Sequence, residues 1–213
     1  MKNSILKYLT FLALIFLMSC SENEPENIDD TNQNPPDEEE LFVCVGNQSS
    51  DYWPLELDNH WIYASGDLVL TITEKVEIDG KDYFKVDPTG PLSWNPIYLR
   101  VDSNGDIYQS SSPSSTETVE KLYLPNNPTL NQEWDSFGTC IIGPCTFYKK
   151  VESIDYTLET NECIYEDCLA IRSYTVLNDG TISEGGLDIF KRGIGLIASP
   201  GLFGYRITDL SLE

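Results

Sequence analysis

The chain has 213 residues, 35 acidic against 13 basic side chains and a formal charge of −22. Carboxylate in that excess repels phosphate backbones and anionic headgroups, which argues against nucleic-acid binding and against polybasic docking to lipid. Setting aside a leader and a polar linker leaves roughly 170 residues, enough for one domain with a continuous core and too few for two.

Residues 1–19 read as an export signal. Lys2 and Lys7 flank the start of an apolar run from Leu9 to Met18, which is too short to cross a bilayer permanently. The run ends in Leu17-Met18-Ser19-Cys20, which resembles a lipobox. That resemblance implies cleavage before Cys20 and acylation of its sulfur. Each buried methylene contributes about 0.8 kcal/mol, so two or three acyl chains anchor a protein stably where a single chain does not. Ser21 rather than Asp after the cysteine implies sorting to the outer membrane. Ser21-Glu22-Asn23-Glu24 is similar to surface-export signals of Bacteroidota lipoproteins, so the protein is expected to face the periplasm or the cell surface.

Residues 20–40 form the lipidated cysteine and an acidic tether. Glu, Asp, Asn, Pro, Thr, Gln and Ser dominate, and Ile28 is the only aliphatic residue before Leu41. No face exists to bury, and like charges extend such a segment.

From 41 to 213 the pattern is that of strands. Leu68 to Ile78 places Leu70, Ile72, Val76 and Ile78 at alternate positions, then meets Asp79-Gly80 before Tyr83-Phe84-Lys85-Val86. An Asp-Gly pair supplies the positive φ of a tight hairpin. Two further hairpins follow the same rule, Tyr98–Val101 with Ile107–Gln109 around Asn104-Gly105, and Ile171–Val176 with Thr181–Ser183 around Asp179-Gly180. Another strand is expected from Phe147 to Tyr156, and a last one from Tyr205 to Leu212 with Tyr205, Ile207 and Leu210 inward. Ser110–Thr118 reads as a loop. With no long helical periodicity, the expected fold is all-β: a twisted antiparallel sheet of consecutive hairpins curled into a sandwich or partial barrel.

Tyr52-Trp53-Pro54-Leu55-Glu56-Leu57-Asp58-Asn59-His60-Trp61-Ile62-Tyr63 resembles an opening common in Bacteroidota outer-membrane lipoproteins of unknown function, aromatic-Pro-Leu, then Gly-Asn or Asp-Asn, then Trp and Tyr. Gly80–Val86, Tyr98–Val101, Cys168–Ile171 and Gly193–Ile197 fit the same pattern. The resemblance implies an exported all-β domain and carries no activity with it. Physically, Pro54 fixes an extended lead-in, Asp58-Asn59 turns the chain, and Trp61 and Tyr63 supply core rings. Gly193 and Gly195 around Ile194 read as a strand bend, lacking the strand-to-helix setting of a phosphate loop.

Six cysteines are present. With Cys20 assigned to lipid, an oxidising compartment makes disulfides the default for the rest. Cys140 and Cys145 share the spacing of Cys163 and Cys168, so Cys140–Cys145 and Cys163–Cys168 are the favoured pairs and Cys44 the free thiol. Pairing between the two segments stays open, and four thiolates could also bind zinc, though structural zinc sites space their cysteines more closely.

Catalysis finds little purchase. His60 is the only histidine and sits in the aromatic opening, which excludes multi-histidine zinc sites. No carboxylate pair is singled out by an apolar setting, as glycoside hydrolysis needs. Asp102-Ser103-Asn104-Gly105-Asp106 looks like the start of a calcium loop, but the glycine falls one place early and the distal Glu is missing. No catalytic residue, metal ligand or cofactor is assigned. The expected function is a noncatalytic envelope lipoprotein that binds another envelope protein, a glycan or a lipid. The alternatives are a surface glycan hydrolase or lyase using a carboxylate pair, and a structural spacer or scaffold.

Overall fold

Thirteen strands make up the described part of the computed structural model: β1 Phe42–Val43, β2 His60–Tyr63, β3 Leu68–Ile78, β4 Lys81–Thr89, β5 Ile97–Val101, β6 Ile107–Ser110, β7 Glu120–Leu124, β8 Glu133–Ser136, β9 Cys145–Glu159, β10 Cys163–Leu177, β11 Ile182–Lys191, β12 Gly195–Ser199 and β13 Tyr205–Ser211. The chain divides into Met1–Glu39 and Glu40–Glu213. The structure describes residues 42–44, 51–63, 67–91, 93–115, 117–138, 144–160, 163–199 and 205–211, with the backbone alone for Phe42 and for 205–211 other than Ile207. The leader, Cys20 and the tether lie outside the described residues.

The fold is all-β, and apart from the parallel β1–β10 pair every strand pairing is antiparallel, sequence neighbours pairing except at β7–β8, with β13 returning to β2. One sheet runs β2 to β7 as a meander; the other runs β8 to β12 and curls into a half-barrel. β13 joins them. Its start pairs with β12 through Ala198↔Arg206 and Ser199↔Tyr205, and its remainder pairs with β2 from Ile207↔Tyr63 to Ser211↔His60. The strand path therefore begins at β7 and ends at β8. Those two edges are drawn together by Lys121, whose Nζ reaches the Asp135 carboxylate at 2.9 Å and the Ser136 carbonyl at 3.1 Å.

All three expected hairpins form. Asp79 and Gly80 both take positive φ, 52° and 73°, as a two-residue turn between right-twisted strands requires. The alternation predicted for β3 fails halfway. A bulge between Ile72 and Glu74 inserts Thr73, so Leu70 and Ile72 face the main core with Val86, whereas Val76 pairs with Tyr83 on the opposite face. One extra residue shifts a period-two pattern by one step and reverses every side chain after it. Tyr205 and Leu210 were expected inward with Ile207; only Ile207 has a described side chain, and it packs against both core clusters.

The main core lies between the sheets and holds Trp53, Trp61, Tyr63, Leu70, Ile72, Val86, Leu99, Leu169, Ile171 and Phe190. Trp53 meets Trp61 edge-on, with ring centroids 5.7 Å apart, the geometry that aromatic quadrupoles favour. The lead-in segment is part of this core. Asp58 turns at φ 70°, and fully buried Asn59 donates its side-chain amide to the Pro54 carbonyl at 3.0 Å, so its burial leaves that donor satisfied. Cys168, Ile189 and Ile197, pointing to the other face of the half-barrel, form a second cluster with Leu158 and Ile194. Gly193 sits in the β11–β12 turn and Gly195 opens β12; Gly195 has φ 109°, and a Cβ there would lie 3.1 Å from the Trp61 indole nitrogen.

The cysteine pairing differs from expectation. Cys163 is bonded to Cys44, with a Cα separation of 5.5 Å, and Cys168 is a free, buried thiol, pushed up to about 11 chiefly by its burial. Cys44 is thus not the free cysteine. The reason is geometric. Cys163 and Cys168 lie on the same strand, and five extended residues span roughly 16 Å, far beyond disulfide reach. β1 instead lies parallel to β10, with Phe42 opposite Cys163 and the Cys44 amide donating to the Ile164 carbonyl at 2.8 Å. Cys145 is disulfide-bonded; Cys140, its expected partner, lies outside the described residues.

On the outer face of the β2–β7 sheet one carboxylate gathers three strands. Arg100 grips Glu120 with Nε and Nη2, both at 2.7 Å; Lys81 adds a bond at 3.1 Å, and the Tyr83 hydroxyl donates to the same carboxylate. The Arg100 guanidinium lies 4.8 Å from the Tyr108 ring centroid. The Arg100 hydrogen bonds hold the Glu120 carboxyl down at about 2, from an ordinary 4.5. A carboxylate with a depressed folded-state pKa stabilises above its unfolded pKa, and that contribution disappears as pH falls through the folded value. Stability should therefore fall by about 1 to 2 kcal/mol on acidification from pH ~4.5 to ~2, after allowance for solvent screening. Urea melts of the wild type and Glu120→Gln across that range check this, since the variant should lose this part of the pH dependence.

Candidate functional site

The outer face of the half-barrel carries an open groove of about 370 Å³ lined by Glu133, Lys150, Glu152, Arg172, Tyr174, Ile182 and Glu184. Strand register assembles it. Val151 and Ile171 face the core, so their neighbours Lys150, Glu152 and Arg172 face outward. The ladder sets Glu133 opposite Lys150 and Lys150 opposite Arg172. One step along, Asp135, Tyr148, Tyr174 and Glu184 form a second row across the same four strands.

The charges pair within the groove and leave its polar atoms at the surface. Arg172 holds Glu152 in a two-pronged grip, Nε to Oε1 at 2.7 Å and Nη2 to Oε2 at 2.9 Å. This keeps the Glu152 carboxyl below the usual carboxylate range and the Arg172 guanidinium above its usual value. Lys150 and Glu133 stand 3.8 Å apart. Tyr174 stacks on Tyr148 across the ladder, with centroids 5.3 Å apart and planes 16° from parallel. Its hydroxyl pKa is raised, first by burial and then by Glu133. Ile182, 63% exposed, supplies an apolar lip. The site is thus a braced aromatic face with acceptors and donors fixed around it and no single charge left to dominate.

The residues weighed for catalysis are placed elsewhere. His60 lies on β2 with its Nδ1 3.3 Å from the Asp58 carbonyl oxygen. Asp102 caps its own turn, accepting from the Asn104 and Asp106 amides at 2.8 and 2.9 Å, which accounts for the segment that looked like a calcium loop. Among the described residues no cluster of His, Cys, Asp and Glu is arranged to hold a metal ion. Among the described residues, the carboxylates with displaced pKa, Glu120, Glu152 and Asp179, are lowered.

Sequence reading passed over the groove because its residues occupy the polar half of alternating strands, which is also how a plainly solvated face looks. The available signal was Tyr148, Lys150 and Glu152 in one run and Arg172 and Tyr174 in another; pairing alone shows that they meet. No protein-family model, curated protein or solved structure matches the chain. Its functional reading rests on the chemistry of its own surface.

Proposed function

We propose that this protein is an outer-membrane lipoprotein, anchored through Cys20, whose β domain binds glycan in the groove of the β8–β11 face without transforming it. The observation that carries the reading is Tyr174, braced by Tyr148 and bordered by the fixed Glu152–Arg172 pair and Glu184. A sugar ring packs its C–H face on an aromatic ring and directs hydroxyls to carboxylate and guanidinium groups, the chemistry this surface presents. The groove is open rather than enclosed, which suits a chain passing across it more than a small molecule held within. Glu152, ionised and tied to Arg172, is suited to accepting hydroxyl hydrogens and unsuited to protonating a leaving group.

The lipobox-like Leu17-Met18-Ser19-Cys20 and the acidic segment after it support the location. The full chain, purified from outer membranes in detergent, should bind a subset of immobilised bacterial and host glycans, with affinity confirmed by calorimetry. Tyr174→Ala should weaken binding about tenfold, ~1.4 kcal/mol, and leave thermal stability nearly unchanged. Absence of glycan binding, together with a stoichiometric envelope protein that co-purifies, would replace this reading with a protein-docking role. An unmodified sulfur at Cys20 in the native protein would remove the anchor.

A further inference from the structure

The charges that line the groove of the β8–β11 face are not equally committed. Its two cations are both answered from within the protein. Every guanidinium nitrogen of Arg172 has a partner: Nε and Nη2 hold Glu152 at 2.7 and 2.9 Å, and Nη1 donates to the Gly185 carbonyl at 3.4 Å. Lys150 stands 3.8 Å from Glu133 and, after Arg172, helps to hold the Glu152 carboxyl below its usual range. Proteins hold an anionic substituent with the open fork of an arginine or with an unpaired ammonium. Here the fork of Arg172, Nε with Nη2, is closed on Glu152, and the Lys150 charge is shared between two carboxylates.

The third carboxylate of the groove, Glu184, is held differently. It is exposed, stands opposite Tyr174 in the β10–β11 ladder, and its charge reaches Arg172 only after that of Glu152. A bulge puts it there. Arg172 pairs with Leu187 and Tyr174 with Glu184, so Gly185 and Gly186 together stand against Ser173. A Cβ on Gly185 would lie 2.8 Å from the Ser173 carbonyl oxygen, so a glycine is needed where the strands come this close. The extra residue re-aims the strand: the Gly185 carbonyl meets Arg172, and Glu184 borders the same groove as the stacked tyrosines. Three carboxylates against two cations line the groove, and the surplus negative charge stands beside the aromatic face. A carboxylate accepts hydroxyl hydrogens and donates nothing. A second negative charge brought to about 4 Å of it costs about 1 kcal/mol even in bulk water, and more at a protein surface.

We infer that the groove selects uncharged glycans, and that Glu184 sets this choice by accepting sugar hydroxyls and repelling uronate, sulfate or phosphate substituents. The inference rests on the glycan reading above and narrows its substrate class.

The test presents the full chain with an array of neutral and anionic glycans that includes matched pairs: methyl-esterified and de-esterified oligogalacturonides, hydroxyethyl and carboxymethyl cellulose, dextran and dextran sulfate. Salt is kept at about 0.15 M, where the Debye length is about 8 Å and charge elsewhere on the protein is largely screened. Binding is assigned to the groove by its weakening in Tyr174→Ala. The uncharged glycans should bind about tenfold tighter than their anionic counterparts, and Glu184→Gln, which removes the charge and keeps the shape, should cut that ratio to about threefold or less. Glu77→Gln makes the same change at an exposed position on β3, in the other sheet, and should leave the ratio where it was. A tightest groove ligand that carries uronate, sulfate or phosphate overturns the inference and leaves the glycan reading standing. So does a ratio that Glu184→Gln does not move, or that Glu77→Gln moves as far, since the total charge of the protein would then be the cause. Failure of every glycan to bind removes the glycan reading and the inference together.

Discussion

Breaking the Cys44–Cys163 bond should lower the unfolding free energy by about 3 to 5 kcal/mol. The two cysteines are 119 residues apart in sequence. A cross-link closing a loop of that length removes a large part of the unfolded chain's freedom, worth about 4.7 kcal/mol for a hundred residues in the chain-entropy account. Among the described residues, the β1 register with β10 covers two pairs, Phe42↔Cys163 and Val43↔Ile164, with the Cys44 amide adding one bond to Ile164. Denaturant melts of the double variant Cys44→Ala, Cys163→Ala against the wild type give the magnitude. Removing both partners leaves Cys168 as a free thiol in either protein, so thiol exchange does not confuse the comparison. A loss below about 1 kcal/mol would mean that the denatured chain is already constrained between these positions.

Trp61→Ala should cost about 3 to 5 kcal/mol, the range for deleting a large aromatic from a packed core. Trp61 is fully buried, meets Trp53 edge-on and donates its indole N–H to the Ile194 carbonyl. It therefore ties the opening strand β2 to the β11–β12 turn 133 residues later. Trp61→Phe separates the two contributions. It keeps much of the ring volume but leaves the Ile194 carbonyl without this donor, and should cost about 1 to 3 kcal/mol. Equilibrium unfolding of both variants checks the order, which would be wrong if Trp61→Phe proved as damaging as Trp61→Ala. The neighbouring hydroxyl bond, Tyr63 to the Leu196 carbonyl at 2.7 Å, is a parallel tie and should keep the fold intact in either variant.

Local chemistry wrote the turns and most strands directly. Asp79-Gly80, Asn104-Gly105 and Asp179-Gly180 each demand a hairpin, because a residue that accepts positive φ stands where a right-twisted ribbon must reverse. The aromatic opening declared its own burial, since Pro54, Asn59 and Trp61 act within a dozen residues of one another. β1, β7 and β8 were not legible: at two, five and four residues they are too short to show a strand period. The β3 bulge was invisible for a related reason, because a single inserted residue leaves the local alternation looking plausible on either side of it.

Composition, turns and periodicity by themselves determined an acidic, all-β domain of consecutive hairpins, since each of those properties depends on residues close in sequence. Which cysteine meets which and which polar row becomes the groove were decided only by strand register. Those pairs are brought together across ladders from segments up to 119 residues apart, and a pattern confined to one strand carries no information about its neighbour's alignment.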